Sequence, residues 1–532
     1  MILTRRGFAA GSGMAAALAA GRRASAQDAG TLRMALAARG LRTLDPHNSI
    51  QGADDWSITH IHDTLAASPP GRFAQTPDQF QPRLATGWTL SPDARTWTFR
   101  LREGVTWQKG YGPFTADDVV FTLNRARDPR QGSSNRGLWD TIATVEADGP
   151  HTVVIRTRTP DPLLISRALQ SPAGSIMCRR ATEERGEAIA RDPVGTGPYQ
   201  FVSLDPDPSK GVLMAANPDH FDGPPKTPNL QVLYVLDTTA RTLALLSGNV
   251  HMIEGVRAPG WPASIRQKNP RLLFDVAAPG SLFTMHFNLT RKPLDDLRVR
   301  QAFAYAIDRD SIARALAPIG RRTYGLNPPG YPGGFTRDTA PAEFRYDFDP
   351  DHARHLLADA GFANGVALDA YTSQREDYAS SMLIVQELMR KVGVKINLQL
   401  IDHTTFHANN RRDMNALPQN SSAYPPAPSL PLQENLARTA EVKADGSGGI
   451  NYSHYGVAIP GIDDLLAQAD AEPDFAKRVA VIDAAERKVL HDLPLIPLGT
   501  NGYLIVRDPR VSLGYEVQSG YALWPLAKAT IS

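Results

Sequence analysis

Thr96-Trp97-Thr98-Phe99-Arg100-Leu101 runs into Arg102-Glu103-Gly104-Val105-Thr106-Trp107, and soon after comes Phe114-Thr115-Ala116-Asp117-Asp118-Val119-Val120-Phe121. In the first segment Trp97, Phe99 and Leu101 fall on one side and Thr96, Thr98 and Arg100 on the other. That period of two marks a half-buried strand. Val105 and Trp107 continue the alternation beyond Gly104. Thr115 with Asp118 three residues on reads as a capping box, and Val119, Val120 and Leu123 then follow on a helix.

Working outward, the later half of the chain carries the strongest helical periodicity. Val299, Ala302, Phe303, Ala306 and Ile307 fall at i, i+3, i+4, i+7 and i+8, one buried face. Asp349-Pro350 supplies an N-cap and a first-turn proline, Ala353, Leu356, Leu357 and Ala360 form the face, and Gly361 ends it. Tyr378, Met382, Val385, Met389 and Val392 make another helix stopped by Gly393. Leu368–Thr372 before it and Val394–Leu400 after it read as strands. A strand–helix–strand unit implies a parallel pair, and so an α/β fold. Phe475, Val479, Ile482 and Val489 share a face of a long helix that Glu486 interrupts. Pro418–Pro431, with five prolines, and the Gly/Ser-rich Ala444–Gly449 read as loops or insertions. No internal repeat is visible.

The chain has 532 residues, 42% apolar and 21% charged, an ordinary globular composition. That length implies roughly three domains or lobes. A net charge of +2 offers no basic field for nucleic acid. The single cysteine, Cys178, excludes an intramolecular disulfide and any Cys-rich metal centre. It lies in an apolar stretch and is expected to be a buried, inert thiol.

Residues 1–26 read as an export signal. Thr4-Arg5-Arg6-Gly7-Phe8 precedes a run of small and apolar residues to Ala20, and Ala24-Ser25-Ala26 offers a cleavage site before Gln27. The paired arginines, the weakly apolar core and Arg22-Arg23 near the exit resemble the twin-arginine signal. Phe8–Ala20 is too short for a spanning helix, which needs ~20 residues. No cysteine at the cleavage point could carry a lipid. A free periplasmic protein is expected.

Enzyme motifs are sparse. There is no Walker phosphate loop, no G-x-S-x-G elbow and no H-E-x-x-H. Gly195-Thr196-Gly197-Pro198-Tyr199 is too short for a dinucleotide fingerprint and reads as a turn. His60 and His62, two apart in a helix, diverge by ~200° and could not easily share a metal. His403 and His407 at i, i+4 share a face, but Thr404 stands where a metalloprotease carries its glutamate. His286, in the apolar strand Phe283–Phe287, reads as core or hinge packing. The acidic pairs Asp54-Asp55, Asp117-Asp118, Asp295-Asp296 and Asp463-Asp464 precede helices and need only helix-start electrostatics. A large exported chain without a catalytic constellation points to binding.

Several blocks together resemble the extracellular solute-binding proteins of family 5, the dipeptide-, oligopeptide- and nickel-binding components of bacterial ABC importers. They are Leu84-Ala85-Thr86-Gly87-Trp88, the Thr96–Val105 and Phe114–Phe121 segments, Gly195–Tyr199, Asn217-Pro218-Asp219-His220-Phe221, Phe287-Asn288, Arg298–Ala302 with Ala304–Asp308, and Asp349–Gly361. The resemblance runs from about Leu44 to Leu498. It implies a periplasmic-binding-protein-like α/β fold of the type II, cluster C architecture: two lobes that close on a ligand, with an extra domain. The expected division is a discontinuous lobe I (27–60, 193–287 and 493–532), an extra domain (61–192) and lobe II (288–492).

The same resemblance implies capture of a peptide or peptide-like solute and its delivery to an ABC permease, with no enzymatic activity and no cofactor. A monomer that binds no nucleic acid is expected. Alternatives are a nickel or other metal chelate as ligand, a periplasmic enzyme, or a chaperone. In peptide-binding relatives an aspartate of lobe II pairs with the ligand's amino terminus. The corresponding stretch here, Met414–Pro431, has no acidic residue, and Asn420, Ser421, Ser422 and Tyr424 stand there instead. Arg375 aligns with an arginine that holds a ligand carboxylate, a task that suits the guanidinium fork; the plain alternative is a surface pair with Glu376 or Asp377. Asp54, Asp55 and Trp56 follow a loop that faces the cleft in relatives. Trp261 is a further candidate cleft aromatic, with packing under Pro259 and Pro262 as its alternative. Gln108 replaces a residue of the family's usual H-D-G, and His251 stands where an aspartate is frequent; both are expected to matter to the fold.

Overall fold

The computed structural model describes residues 30–532 except 134, 208, 444, 446–447 and 521–523. The expected export signal lies outside the described residues. The chain opens with β1 (Thr31–Leu36) and α1 (Gly52–Ile61). It then leaves for a separate body containing β2 (Ala85–Leu90), β3 (Thr96–Leu101), α2 (Ala116–Arg127), β4 (Ile142–Ala147) and β5 (Thr152–Thr157). It returns through β6 (Tyr199–Leu204), β7 (Val212–Ala216), β8 (Asn229–Tyr234) and β9 (Met252–Glu254). The long β10 (Leu273–His286) leads to α3 (Leu297–Ala306), α4 (Pro350–Asp359), β11 (Val366–Ser373), α5 (Glu376–Lys391), β12 (Val394–Ile401) and α6 (His403–Arg411). β13 (Gln419–Ala423), α7 (Ser429–Leu436), α8 (Ile462–Ala471) and α9 (Phe475–Asp492) follow, and β14 (Leu495–Arg507) brings the chain back.

One nine-stranded sheet organises the chain, in the order β6-β7-β8-β1-β9-β14-β10-β13, with Gly320–Arg321 pairing onto β14. β1 is parallel to both β8 and β9. β10 and β14 are the crossing pair. Their antiparallel ladder runs from Leu273 opposite Arg507 to His286 opposite Leu495, with a wide slip between Ala277 and Ser281 and a second irregularity between Phe283 and Thr284. At the slip Gly280 has φ +72, and a Cβ there would lie 2.0 Å from the Asn501 carbonyl oxygen. The outer half of the pair is flanked by β9, the inner half by β13. The expected divisions at 287/288 and 492/493 therefore fall at the far ends of these two strands, whereas their pairing breaks at Ala277–Ser281, opposite Asn501–Tyr503.

The body inserted after α1 has its own four-stranded sheet, β2-β3-β5-β4, and its own core, drawn from residues 65–194. The opening motif behaves as its alternation dictates. Trp97, Phe99 and Leu101 are buried and Arg100 is exposed. Thr115 and Asp118 form the capping box, and the Asp118 carboxylate also accepts from Trp107 Nε1 (3.1 Å) and Arg179 N (3.0 Å). Cys178 is buried, and burial pushes its thiol up to about 11.

The Gly195–Tyr199 turn closes this body against α1. Gly197 N donates to the Ile61 carbonyl (2.8 Å). A Cβ on Gly195 would lie 1.8 Å from the same oxygen, so only glycine admits this approach. Gln108 Nε2 donates to the carbonyls of Gly197 and Tyr199, both at 3.0 Å. Beside the turn, buried Asp63 accepts from Arg83 Nη2 (2.5 Å) and Thr196 Oγ1 (3.1 Å), with His220 Nε2 at 3.4 Å. Burial alone would raise its pKa; Arg83 and then His220 hold it down at about 2.

In the second half, β11 and β12 pair in parallel from Val366/Val394 to Ser373/Ile401, with α5 between them in sequence. The Pro418–Pro431 stretch departs from the expected loop: it contains β13 and starts α7. Gln-Asn-Ser-Ser-Ala has little intrinsic strand preference. The exposed edge of β10 imposes the strand, pairing Ser281–Met285 with Ala423–Gln419. Glu486, the charge that interrupts the apolar face of α9, is fully buried. It accepts from Leu326 N (3.0 Å), Asn327 N (2.7 Å) and Asn327 Nδ2 (2.9 Å).

Two outcomes follow. Gly195→Ala is expected to destabilise the fold strongly, by ~3 kcal/mol or more, read as lost cooperativity or a large drop in thermal unfolding temperature. Burial pushes Glu486 up from 4.5 to about 7 despite its three donors. The native state then keeps a proton that the unfolded chain releases, so this contribution is fully present below pH 4.5 and is lost as pH rises to about 7. Glu486→Gln should remove that slope from a denaturation series between pH 4.5 and 7.5; an unchanged slope would assign it to other groups.

Candidate functional site

The crossing strands place two walls opposite one another. On one wall, β9 ends at Glu254, whose Oε2 accepts from Ala37 N (2.9 Å), just beyond the end of β1, and whose Oε1 lies 3.8 Å from Arg257 Nη2. Carboxyl ends of parallel strands are where ligands of α/β folds bind. Tyr503 and Trp524 pack nearby with ring centroids 5.3 Å apart.

Arg375 caps the start of α5 on the other wall. Its Nε and Nη2 donate to the two Asp377 carboxylate oxygens at 3.1 and 2.6 Å. The guanidinium lies 5.6 Å from the centre of the Tyr378 ring, and its Nη1 is 3.5 Å from His403 Nε2. Its side chain is 49% exposed, which leaves Nη1 open to a further acceptor. Desolvation works against its charge, but Asp377, Tyr378 and the more distant Glu254 outweigh it and raise its pKa. The Glu254 field on Arg375 joins the two walls.

His403 and His407 flank Arg375 with rings 4.5 Å apart and nearly perpendicular. Ser373 Oγ fixes His403 through Nδ1 at 2.9 Å. Burial, then His403, Arg411 and Arg375, lower His407 to about 4; burial and Arg375 also lower His403. Both imidazoles are therefore neutral near pH 7. Among the described residues no group of three or more His, Cys, Asp or Glu side chains is placed to hold a metal ion.

The remaining candidates divide. Asn420 and Tyr424 sit on β13 and just past its end. Asn420 Nδ2 donates to Ser422 Oγ (3.0 Å), the Tyr424 hydroxyl accepts from Asn435 Nδ2 (3.0 Å), and the Tyr424 carbonyl accepts from Tyr331 OH (2.7 Å). Asp54 and Trp56 lie on α1 with their side chains turned inward. Asp54 is fully buried and accepts from Arg42 N (2.9 Å) and Gln51 Nε2 (2.8 Å). Trp56 is fully buried and stacks on Trp524 at 5.9 Å and 8°. Asp55 binds Ser49 Oγ (2.6 Å), and burial pushes its carboxyl up to about 6. Trp261 is half-buried, donates Nε1 to Thr242 Oγ1 (3.3 Å) and packs on the neighbouring apolar core. The structure thus gathers Arg375, Tyr378, His403 and His407. Sequence reading missed Glu254, which carries no local signal. An open groove of about 1260 Å³ lies elsewhere, in the inserted body, lined by Phe121, Arg127, Trp139, Arg158 and Ile189 among others.

A two-walled cleft spanned by a crossing strand pair, with a third body fixed to one wall, defines a periplasmic-binding-protein-like fold of cluster C. The chain belongs to the bacterial extracellular solute-binding proteins, family 5, whose model matches residues 79–440. It is 30% identical over 323 residues to the glutathione-binding protein GsiB of Shigella flexneri, covering 60% of this chain and 61% of that one. It is 31% identical over 322 residues to GsiB of Salmonella typhimurium, covering 60% of each. The chain thus spans about 60% of the length of these curated relatives. Among solved structures, MoaA of A. tumefaciens in complex with mannopinic acid superposes with a TM-score of 0.78 at 30% identity, covering 94% of this chain and 99% of that one. HbpA2 of Haemophilus parasuis superposes with a TM-score of 0.79 at 22% identity, covering 94% and 100%, a likeness of fold. No helix among the described residues is long and apolar enough to cross a membrane.

Trp56→Ala is expected to cost ~3–5 kcal/mol of stability, because it empties a fully buried stack. Chemical denaturation measures this; an unaltered midpoint would overturn the core assignment.

Proposed function

We propose that this chain is the binding component of an ABC importer. It captures a peptide or peptide-like solute between its two lobes and presents it to a membrane permease. The observation that carries this is Arg375: a guanidinium at the mouth of a helix, half-open to solvent, steered by Asp377 and facing Glu254 of the opposite lobe. Family membership, the glutathione-binding protein GsiB and MoaA in complex with mannopinic acid support a small carboxylate-bearing solute. Lobe I then comprises the β6-β7-β8-β1-β9 side with the outer halves of β10 and β14. Lobe II begins near Ser281 and ends near Asn501, with the hinge at the slip. The inserted body, about 61–192, rides on lobe I. The protein works as an exported periplasmic monomer without catalysis, carried out by the twin-arginine signal.

Closure does the physical work. It shields the ligand's contacts from water, and a ligand favours the closed state only by binding it better than the open one. The His403–His407 pair beside Arg375 favours a metal chelate as a second ligand class, since a chelate needs few protein donors.

The test is thermal unfolding of the purified protein against free peptides, amidated peptides, acidic sugar–amino acid conjugates and nickel chelates. A ligand at a hundredfold excess over Kd should add ~2.7 kcal/mol. The expected result is stabilisation by a carboxylate ligand that is lost on amidation and in Arg375→Ala. Stabilisation untouched by both changes would remove Arg375 from the site. No stabilisation by any class would overturn the import reading.

A further inference from the structure

The open groove of the inserted body lies outside the cleft. Along one side runs a face of α2, where Asp117, Val120, Phe121, Asn124 and Arg127 follow one another at helical spacing. Trp139, Ile142 and Ile189, all buried, give it an apolar lining. At the carboxyl end of α2, Arg127 donates Nη1 to the carbonyls of Ile142 (3.1 Å) and Ala143 (2.8 Å) and Nε to Asn124 Oδ1 (3.0 Å). Arg158, just past β5, donates Nη1 to the Asp140 carbonyl (2.5 Å). Residues 140–143 thus anchor both guanidinium groups.

Every partner of these two arginines among the described residues is a neutral oxygen. The neighbouring carboxylates are already taken. Asp128 accepts from Arg130 Nε (3.0 Å) and Nη2 (2.8 Å), and Asp140 from Arg136 Nη1 (3.2 Å). Asp117 and Glu187 also line the groove, but Asp117 stands at the opposite end of α2, ~15 Å away. Burial and then the charge of Arg158 lower the pKa of Arg127, the effect of a like charge close by in a partly dry setting. A third donor is idle: Trp139 is 1% exposed, and its Nε1 has no hydrogen-bond partner among the described residues. One end of the groove therefore holds two uncompensated cations and an unused indole N–H.

We propose that this groove is a second ligand site, separate from the cleft, and that Arg127 and Arg158 hold the phosphate of an organic phosphomonoester there. Charge selects the group. A phosphomonoester carries about −1.5 to −2 near pH 7 and matches two guanidinium groups, whereas a carboxylate or a phosphodiester brings a single charge. Geometry agrees, because guanidinium forks donate in pairs to phosphate oxygens. Size selects an organic ester over inorganic phosphate. A groove of about 1260 Å³ far exceeds one phosphate ion, and Val120, Phe121 and Trp139 offer apolar surface to the rest of the molecule. Asp117 repels an anion at the far end and so fixes which way the ligand lies. Arg127, Arg158 and Trp139 all belong to the inserted body, so this inference does not depend on what the cleft binds.

The experiment is isothermal titration of the purified protein, in phosphate-free buffer, with glucose 1-phosphate, inorganic phosphate, a glycerophosphodiester and glucose. The expected result is saturable one-to-one binding of glucose 1-phosphate, at least tenfold tighter than inorganic phosphate or the diester, and none of glucose. Arg158→Gln should weaken that binding at least tenfold with an unchanged melting temperature, since this side chain is exposed; Arg158→Lys should keep part of it. Arg127→Gln should weaken it as much. Binding that Arg158→Gln leaves untouched, or no saturable binding of any phosphate, would overturn the site. Equal affinity for the diester would overturn the charge match, and equal affinity for inorganic phosphate would overturn the organic ester. Each of these outcomes leaves the import reading standing.

Discussion

Two paired strands, β10 and β14, join the two halves of the large sheet. The β10–β14 ladder runs through the middle of the large sheet: its outer half is flanked by β9 and its inner half by β13. A strand pair resists stretching and in-plane shear but tolerates twist and bending where its register slips. The wider of its two slips, at Ala277–Ser281, lies where the flanking strand changes from β9 to β13. Tyr424 and Tyr331 lie beside it, so groups on either side of the pair move least relative to each other near the slip and most far from it.

The inserted body is attached in the opposite way. Its two chain crossings, near Ile61–Asp63 and Gly195–Tyr199, are packed backbone to backbone and locked by the Asp63–Arg83–Thr196 contacts. A second tie joins Arg125 of α2 to Asp45 of lobe I at 2.6 Å. A buried carboxylate with several good donors costs much to disrupt, because its removal leaves them unpaired. The inserted body is thereby tied to α1 and the segment before it, and its Phe73 meets Tyr331 edge-on.

How much of this was legible in the sequence depended on whether the signal was local. Alternation at Thr96–Leu101, the capping box at Thr115 and the strand–helix–strand unit around α5 are set by neighbouring residues, and each appears where the pattern puts it. β13 was invisible because its strand is imposed by the edge of β10 and not by its own side chains. The site shows the same divide. The His403–His407 pair could be picked out from its spacing, whereas Arg375 stood out only through the family resemblance. Whether Asp54 and Trp56 face a cleft or a core could not, because an apolar helix face looks the same in either case; in the structure both are fully buried. Glu254 owes its setting to Ala37, more than two hundred residues away, and no window of sequence contains that contact.

On the proposed reading, Arg375 meets its ligand already neutralised by Asp377, while Glu254 carries Arg257. Opposite charges so close together cancel within a few ångströms, and salt at physiological strength screens the remainder over ~8 Å. These pairs project little field into the surrounding solution, so long-range steering adds little to capture. Encounter is left to diffusion and to the fraction of time the lobes stand open. Discrimination between solutes then resides in how slowly the right one leaves, since the wrong ones arrive just as often.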